Sequence, residues 1–262
     1  MGKRLFNVMV MAALLAATAP LAGSQPTEQQ VIDALKGVVP IGMRSIPSES
    51  MLPNLLVGDR VAIVAIAEPK RGDVVIFQHP NHPNLVMVDR IIGLPGDTVQ
   101  MKDGRLILNG EPVPLTKARD VAYLPDDSSR PMRATEYQEQ FPGEEKPHLI
   151  HEWSGQESLD ETPVFHVPAG HLFLMGDNRD NSEDSRAPSG HRKLAAQFPE
   201  AWPYRGAVLP ADTRDDAIGF VPIRNLMGRA AVVAFSLNTC RVNEAMRAAG
   251  VECLRSRIGQ PL

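Results

Sequence analysis

Ser48 and Ser50, in Ser48-Glu49-Ser50-Met51-Leu52-Pro53, have the types and spacing to do chemistry. A serine hydroxyl becomes a nucleophile when a base lies within hydrogen-bond reach and donors face the oxygen that gains charge. A turn in which Ser48 merely caps the backbone uses the same residues, so other groups must decide. An acidic stretch supplies candidates: Gly176-Asp177-Asn178-Arg179-Asp180-Asn181-Ser182-Glu183-Asp184-Ser185-Arg186. Asp177 and Asn178 suit a strand-end turn whose side chains bond the backbone. Asp184 and Arg186 suit an ion pair, worth little if exposed.

Asp89 lies in Val86-Met87-Val88-Asp89-Arg90-Ile91-Ile92. Strand alternation puts it on one face with Met87 and Ile91 and turns Arg90 to the other. An apolar face lowers the pKa of a lysine and leaves a neutral amine, but it raises that of an aspartate. A carboxyl group there is a poor acceptor for a hydroxyl proton. His148, His151, His166, His171 and His191 are alternative bases, none of them in a motif. His79-x-x-His82 is interrupted by Pro80 and flanked by Pro83, so it reads as a turn and no metal is expected.

The elements that must position these groups are short. Val61 to Ala67, Asp73 to Gln78 and Val86 to Ile92 are rich in Val and Ile and bounded by turn formers, as strands are. Val61 to Ala67 with Phe77 is either core or an apolar surface. Asp103-Gly104 marks a hairpin between Thr98–Lys102 and Arg105–Leu108, and Asn109-Gly110 a further turn. Strand character returns at His171 to Met175 and from Asn225 to Phe235. Lys117 to His166 reads as an irregular, polar excursion, and Ala187 to Asp216 as a second. Cys240 and Cys253 bracket a helical segment, Val242 to Ala249, with Gly250 as its C-cap. Whether they are bridged is left open.

The chain has 262 residues, 43% of them hydrophobic, enough for a packed core. With a net charge of −4 and no dense basic run, no nucleic-acid partner is expected. Lys3-Arg4 precedes an apolar run from Leu5 to Gly23, which reads as a signal anchor or a cleaved signal peptide. Ala17-Thr18-Ala19 has the small-x-small form of a cleavage site but precedes Pro20; Ala22-Gly23-Ser24 is a second choice. In both cases the body lies outside the cytoplasmic membrane.

The two chemical segments, with Arg71-Gly72-Asp73 and Asp89-Arg90-Ile91-Ile92-Gly93-Leu94-Pro95-Gly96-Asp97, resemble in content and order the boxes of the bacterial type I signal peptidase family. The resemblance covers about residues 41–112 and 164–236. It implies a mainly β fold: a coiled antiparallel β-sheet with inserted irregular segments and an N-terminal membrane anchor helix. Residues 1–24 would be the anchor or signal peptide, and 25–262 one β domain with excursions 113–163 and 187–216. It further implies a serine endopeptidase without cofactor. Such an enzyme removes signal peptides from exported proteins at the outer, periplasmic surface of the cytoplasmic membrane.

By that resemblance Ser50 is the nucleophile, Ser48 and the Ser50 N–H form the oxyanion hole, and Ser182, Asp184 and Arg186 support the base. The family's lysine base, however, is replaced by Asp89. Three outcomes stay open. A histidine oriented by Asp89 takes over, as histidine replaces lysine in the signal peptidases of the endoplasmic reticulum. Alternatively, the site is degenerate and binds signal-peptide-like segments without cutting them. Or Ser50 works slowly with solvent as base. A specialised maturation protease of a secretion or conjugation system is the nearest enzymatic alternative.

Overall fold

The computed structural model describes residues 29, 33, 35–126, 128–153, 157–187 and 218–262. Residues 1–24, most of the second excursion and His191 lie outside them. Among the described residues no helix is long and apolar enough to cross a membrane.

The strands are β1 (Gly42–Ser45), β2 (Asp59–Val64), β3 (Val74–Gln78), β4 (Val86–Gly93), β5 (Thr98–Lys102), β6 (Arg105–Leu108), β7 (Glu111–Pro112), β8 (Leu115–Tyr123), β9 (Met132–Glu139), β10 (His148–Trp153), β11 (Phe165–His166), β12 (His171–Met175), β13 (Val221–Pro222) and β14 (Leu226–Ser236). A seven-stranded sheet runs β1-β2-β14-β3-β4-β12-β13, beside a four-stranded sheet β11-β5-β6-β7 and a three-stranded sheet β10-β9-β8. The strand pairings within them are antiparallel, as the mainly β expectation required.

Local chemistry accounts for the turns. Asp103 and Gly104 (φ 50° and 69°) join β5 to β6, and Asn109 and Gly110 (φ 54° and 84°) join β6 to β7. Two successive positive φ values are what a two-residue hairpin turn demands, and these residue types tolerate them. Val61, Ala62, Ile63 and Phe77 are buried core, whereas Ala65 and Ala67, beyond the end of β2, are exposed.

The first excursion differs from its irregular reading. Much of it is the sheet β8-β9-β10, and Val121, Tyr123 and Ala134 pack with Leu52 and Leu56 of the serine turn. The strands were hidden because several inward positions, Glu136, Glu139, His148 and His151, are polar but buried. Ion pairs among them replace the apolar alternation that marks a strand.

The C-terminal tail straps this assembly. Asn243 caps α1 (Glu244–Ala248) by accepting from Met246 N. Cys240 and Cys253 are bridged, with Cα atoms 5.5 Å apart. Just before Cys253, Glu252 N donates to Ala122 O, and beyond it Leu262 N donates to Ala231 O.

Candidate active site

Ser50 opens a turn that its own sequence fixes in place. Leu52 N donates to Glu49 O, and Asn54 N and Leu55 N both donate to Met51 O. Met51, Leu52, Leu55 and Leu56 are buried, so four apolar side chains hold the turn in the core. Ser48 and Ser50 stay half-buried and reachable. Their Oγ atoms are 3.3 Å apart, a loose hydrogen bond.

The acidic box closes over this turn. Asn178 N donates to Ser50 O at 2.9 Å, and Asn178 Nδ2 to Glu49 O at 3.0 Å. Asn178 thus bonds the backbone as expected, whereas Asp177 pairs with Arg90 through two contacts of 2.7 Å. Gly176 is enclosed: a Cβ there would lie 2.3 Å from Ser182 Oγ and 2.5 Å from Ser50 O. Glycine therefore lets Ser182 and Ser50 share one spot. Asp184 accepts from Gly176 N at 3.1 Å and pairs with Arg186, whose Nη2 reaches Arg179 O. The Asp184–Arg186 pair is buried, not the weak surface pair that sequence also allowed.

Asp89 sits where the resemblance puts the lysine. β4 lies between β3 and β12, with Val75 opposite Asp89 and Met175 opposite Arg90. Continued by one residue, the same antiparallel register brings Gly176 opposite Asp89. Asp89 is 1% exposed, and its Oδ2 has no hydrogen-bond partner. Burial, reinforced by the charges of Asp184 and Asp177 and opposed by Arg186, pushes its carboxyl well above the usual range. Arg90 is buried too; strand alternation had turned it to the other face without revealing that this face is also core. Ser182 Oγ is likewise buried without a partner.

Among the described residues, the hydrogen bond of Ser50 Oγ is to Ser48 Oγ, and neither a lysine nor a histidine bonds it. His148 is held between Glu139 and Glu144, and His151 Nε2 meets Glu136 at 3.2 Å. His171 contacts Ala169 O, and His166 is exposed at a sheet edge. His79 Nδ1 accepts from Asn81 N and His82 N, which makes that pair a turn.

Sequence reading missed the residues that brace the box from afar. Glu139 binds Arg179 at 2.8 and 2.5 Å, and Arg179 despite burial stays firmly charged. Burial alone would raise the Glu139 carboxyl, but Arg179 and His148 hold it at about 2. Asn54 Nδ2 donates to Asp177 Oδ2, and Arg257 of the tail donates to Asn54 Oδ1. Partners this distant in sequence carry no local signal.

Two boxes serve architecture. Arg71 bridges to Asp97 at 2.9 Å and donates to Ile92 O, while Asp97 also accepts from Leu94 N. Gly72 O accepts from Arg90 Nη1.

The chain is 35% identical to a signal peptidase I of Pseudomonas aeruginosa over 208 residues, which is 73% of this chain and 63% of that one. It is 33% identical to one of Pseudomonas fluorescens over the same shares. A signal peptidase I of Leptolyngbya laminosa is 29% identical over 85% of this chain and 86% of its own. The chain thus spans 63% of the length of the two Pseudomonas relatives. Residues 31–235 match the model of a family described as signal peptidase, peptidase S26, so the seryl turn and the box over it are those of a chain that belongs to that family.

Proposed function

We propose that this protein is a serine endopeptidase of the signal peptidase type, slow because its base position holds a buried carboxyl group whose pKa is raised. Ser50 Oγ attacks the carbonyl carbon after a small-x-small motif. The oxyanion is held by the Ser48 hydroxyl and the Ser50 N–H, and Ser182, Asp184 and Arg186 keep the box closed over the serine turn. The hydroxyl proton leaves to solvent. The departing amine takes a proton from water, and water then hydrolyses the ester on Ser50. The buried Asp89, with an unpartnered carboxyl oxygen where a lysine would sit, carries this reading. A positioned base is worth about 10²–10⁴-fold, so turnover is reduced by about that factor.

The substrates are exported proteins bearing signal peptides, met at the outer face of the cytoplasmic membrane. The Lys3-Arg4 start and apolar run to Gly23 supply the anchor. The Cys240–Cys253 bridge fits an oxidising compartment. A reporter fused after Leu262 would be active only in an exported form; activity confined to the cytoplasm would contradict the placement. Cleavage of a preprotein with an Ala-x-Ala site, absent in Ser50→Ala, tests the chemistry.

A non-cleaving receptor for signal-peptide-like segments is the second reading, favoured by the same buried Asp89 standing where a base is needed. It predicts binding of such a peptide that Ser50→Ala leaves unchanged, without product.

A further inference from the structure

We infer that Glu152, Asp160 and Asp180 form a divalent-cation site, for which Ca²⁺ is the best-suited ion, clamping the inserted sheet to the seryl-box loop. The three carboxylates come from separate elements: the end of β10, the loop beyond it, and the 3-10 turn Arg179–Asn181. One oxygen of each lies within 4.8 Å of the others. Oxygens around one Ca²⁺, each at about 2.3–2.6 Å, must lie about that close together.

The carboxylates of Asp160 and Asp180 are held in place by the backbone. Asp180 Oδ2 accepts from Trp153 N at 2.5 Å, and Asp160 Oδ2 from Glu157 N at 2.7 Å. Each keeps its other oxygen for a ligand, an orientation by outer contacts typical of metal sites. Independently, the Glu152 Oε1 atom is buried and has no hydrogen-bond partner. A buried carboxylate oxygen without a donor costs free energy until something satisfies it. The nearby guanidinium groups are engaged elsewhere, Arg179 with Glu139 and Arg186 with Asp184. Burial first raises the carboxyls of both Glu152 and Asp180, with the charge of Asp180 adding to the rise at Glu152 and that of Asp160 to the rise at Asp180. A hard cation with oxygen ligands relieves both.

The sequence reading looked for metal only at His79-x-x-His82 and could not find this trio, whose members lie on separate elements. With three side chains and the remaining positions filled by water, the affinity belongs with extracellular modules, about 10⁻⁴–10⁻³ M.

The test uses the full-length protein stripped with chelator. Calorimetric titration with CaCl₂ should give one binding event, and Ca²⁺ should raise the unfolding temperature. Tb³⁺ should show luminescence sensitised through tryptophan and quenched by added Ca²⁺. Asp160→Asn, in a loop, and Glu152→Gln should each weaken Ca²⁺ at least tenfold while circular dichroism stays that of the wild type. Absence of binding and of stabilisation up to about 1 mM Ca²⁺, the weak end for such modules, would overturn the site. So would equal affinity in folded Asp160→Asn. If Glu152→Gln fails to fold, Asp160→Asn decides alone.

Discussion

Arg90 and Asp177 meet in a two-pronged ion pair, both contacts 2.7 Å long, with side chains 3% and 0% exposed. This pair fastens the strand that carries Asp89 to the box that covers Ser50. Asn54, bonded to Asp177 at 2.7 Å, extends the tie to the serine turn itself.

Removing one partner of such a pair leaves the other charged and buried. Asp177→Asn should therefore cost about 3–5 kcal/mol in urea unfolding. Arg90→Lys should not preserve stability, because one ammonium cannot make the fork. A loss below 1 kcal/mol in Asp177→Asn would mean that the box does not depend on this tie.

Gly176 allows no side chain. Gly176→Ala should destabilise by about 1–3 kcal/mol through overpacking and remove any cleavage, since the new Cβ meets Ser182 and the Ser50 carbonyl. Adding Ser182→Ala should not rescue it, because the Ser50 carbonyl, 2.5 Å from that Cβ, remains in the way. Rescue would show that the Ser50 turn is more yielding than its buried anchors imply.

The disulfide closes a segment with a sequence separation of 13. In the chain-entropy model its loss by Cys240→Ser with Cys253→Ser should lower stability by about 3 kcal/mol. Two reactive thiols in unreduced, denatured protein would contradict the bridge.

The Asp89 carboxyl has a pKa raised in the fold, so its sign is set. Above the unfolded pKa, near about 3.9, the unfolded chain gives up the proton while the folded chain keeps it. Stability is lost as pH rises from there toward the folded pKa. Asp89→Asn cannot titrate, so its stability relative to the wild type should grow as pH rises above about 4. A difference independent of pH would mean that Asp89 is ionised in the fold.

The sequence was most legible where local chemistry decides. Asp103-Gly104 and Asn109-Gly110 announced their turns, and Val- and Ile-rich runs their strands. The boxes announced Ser50, Ser182, Asp184 and Arg186, which the fold gathers at one end of β12. Hidden was whatever depends on remote partners. Glu139 and His148 look like surface residues until Arg179 meets them, and Glu136 and His151 look so until they meet each other. The burial of Asp89 was readable from Met87 and Ile91; the charges of Asp177 and Asp184 that raise its pKa further were not.

The sharpest measurement is cleavage of one Ala-x-Ala preprotein by wild type, Asp89→Lys, Ser50→Ala and the double variant. The expected result is slow or undetectable wild-type cleavage. It should rise at least tenfold in Asp89→Lys, where burial would bring the lysine pKa toward neutrality, and vanish in both variants lacking Ser50. A wild type that is fully active through Ser50, with turnover abolished by Asp89→Lys, would contradict this reading and make Asp89 a working part of the catalytic machinery.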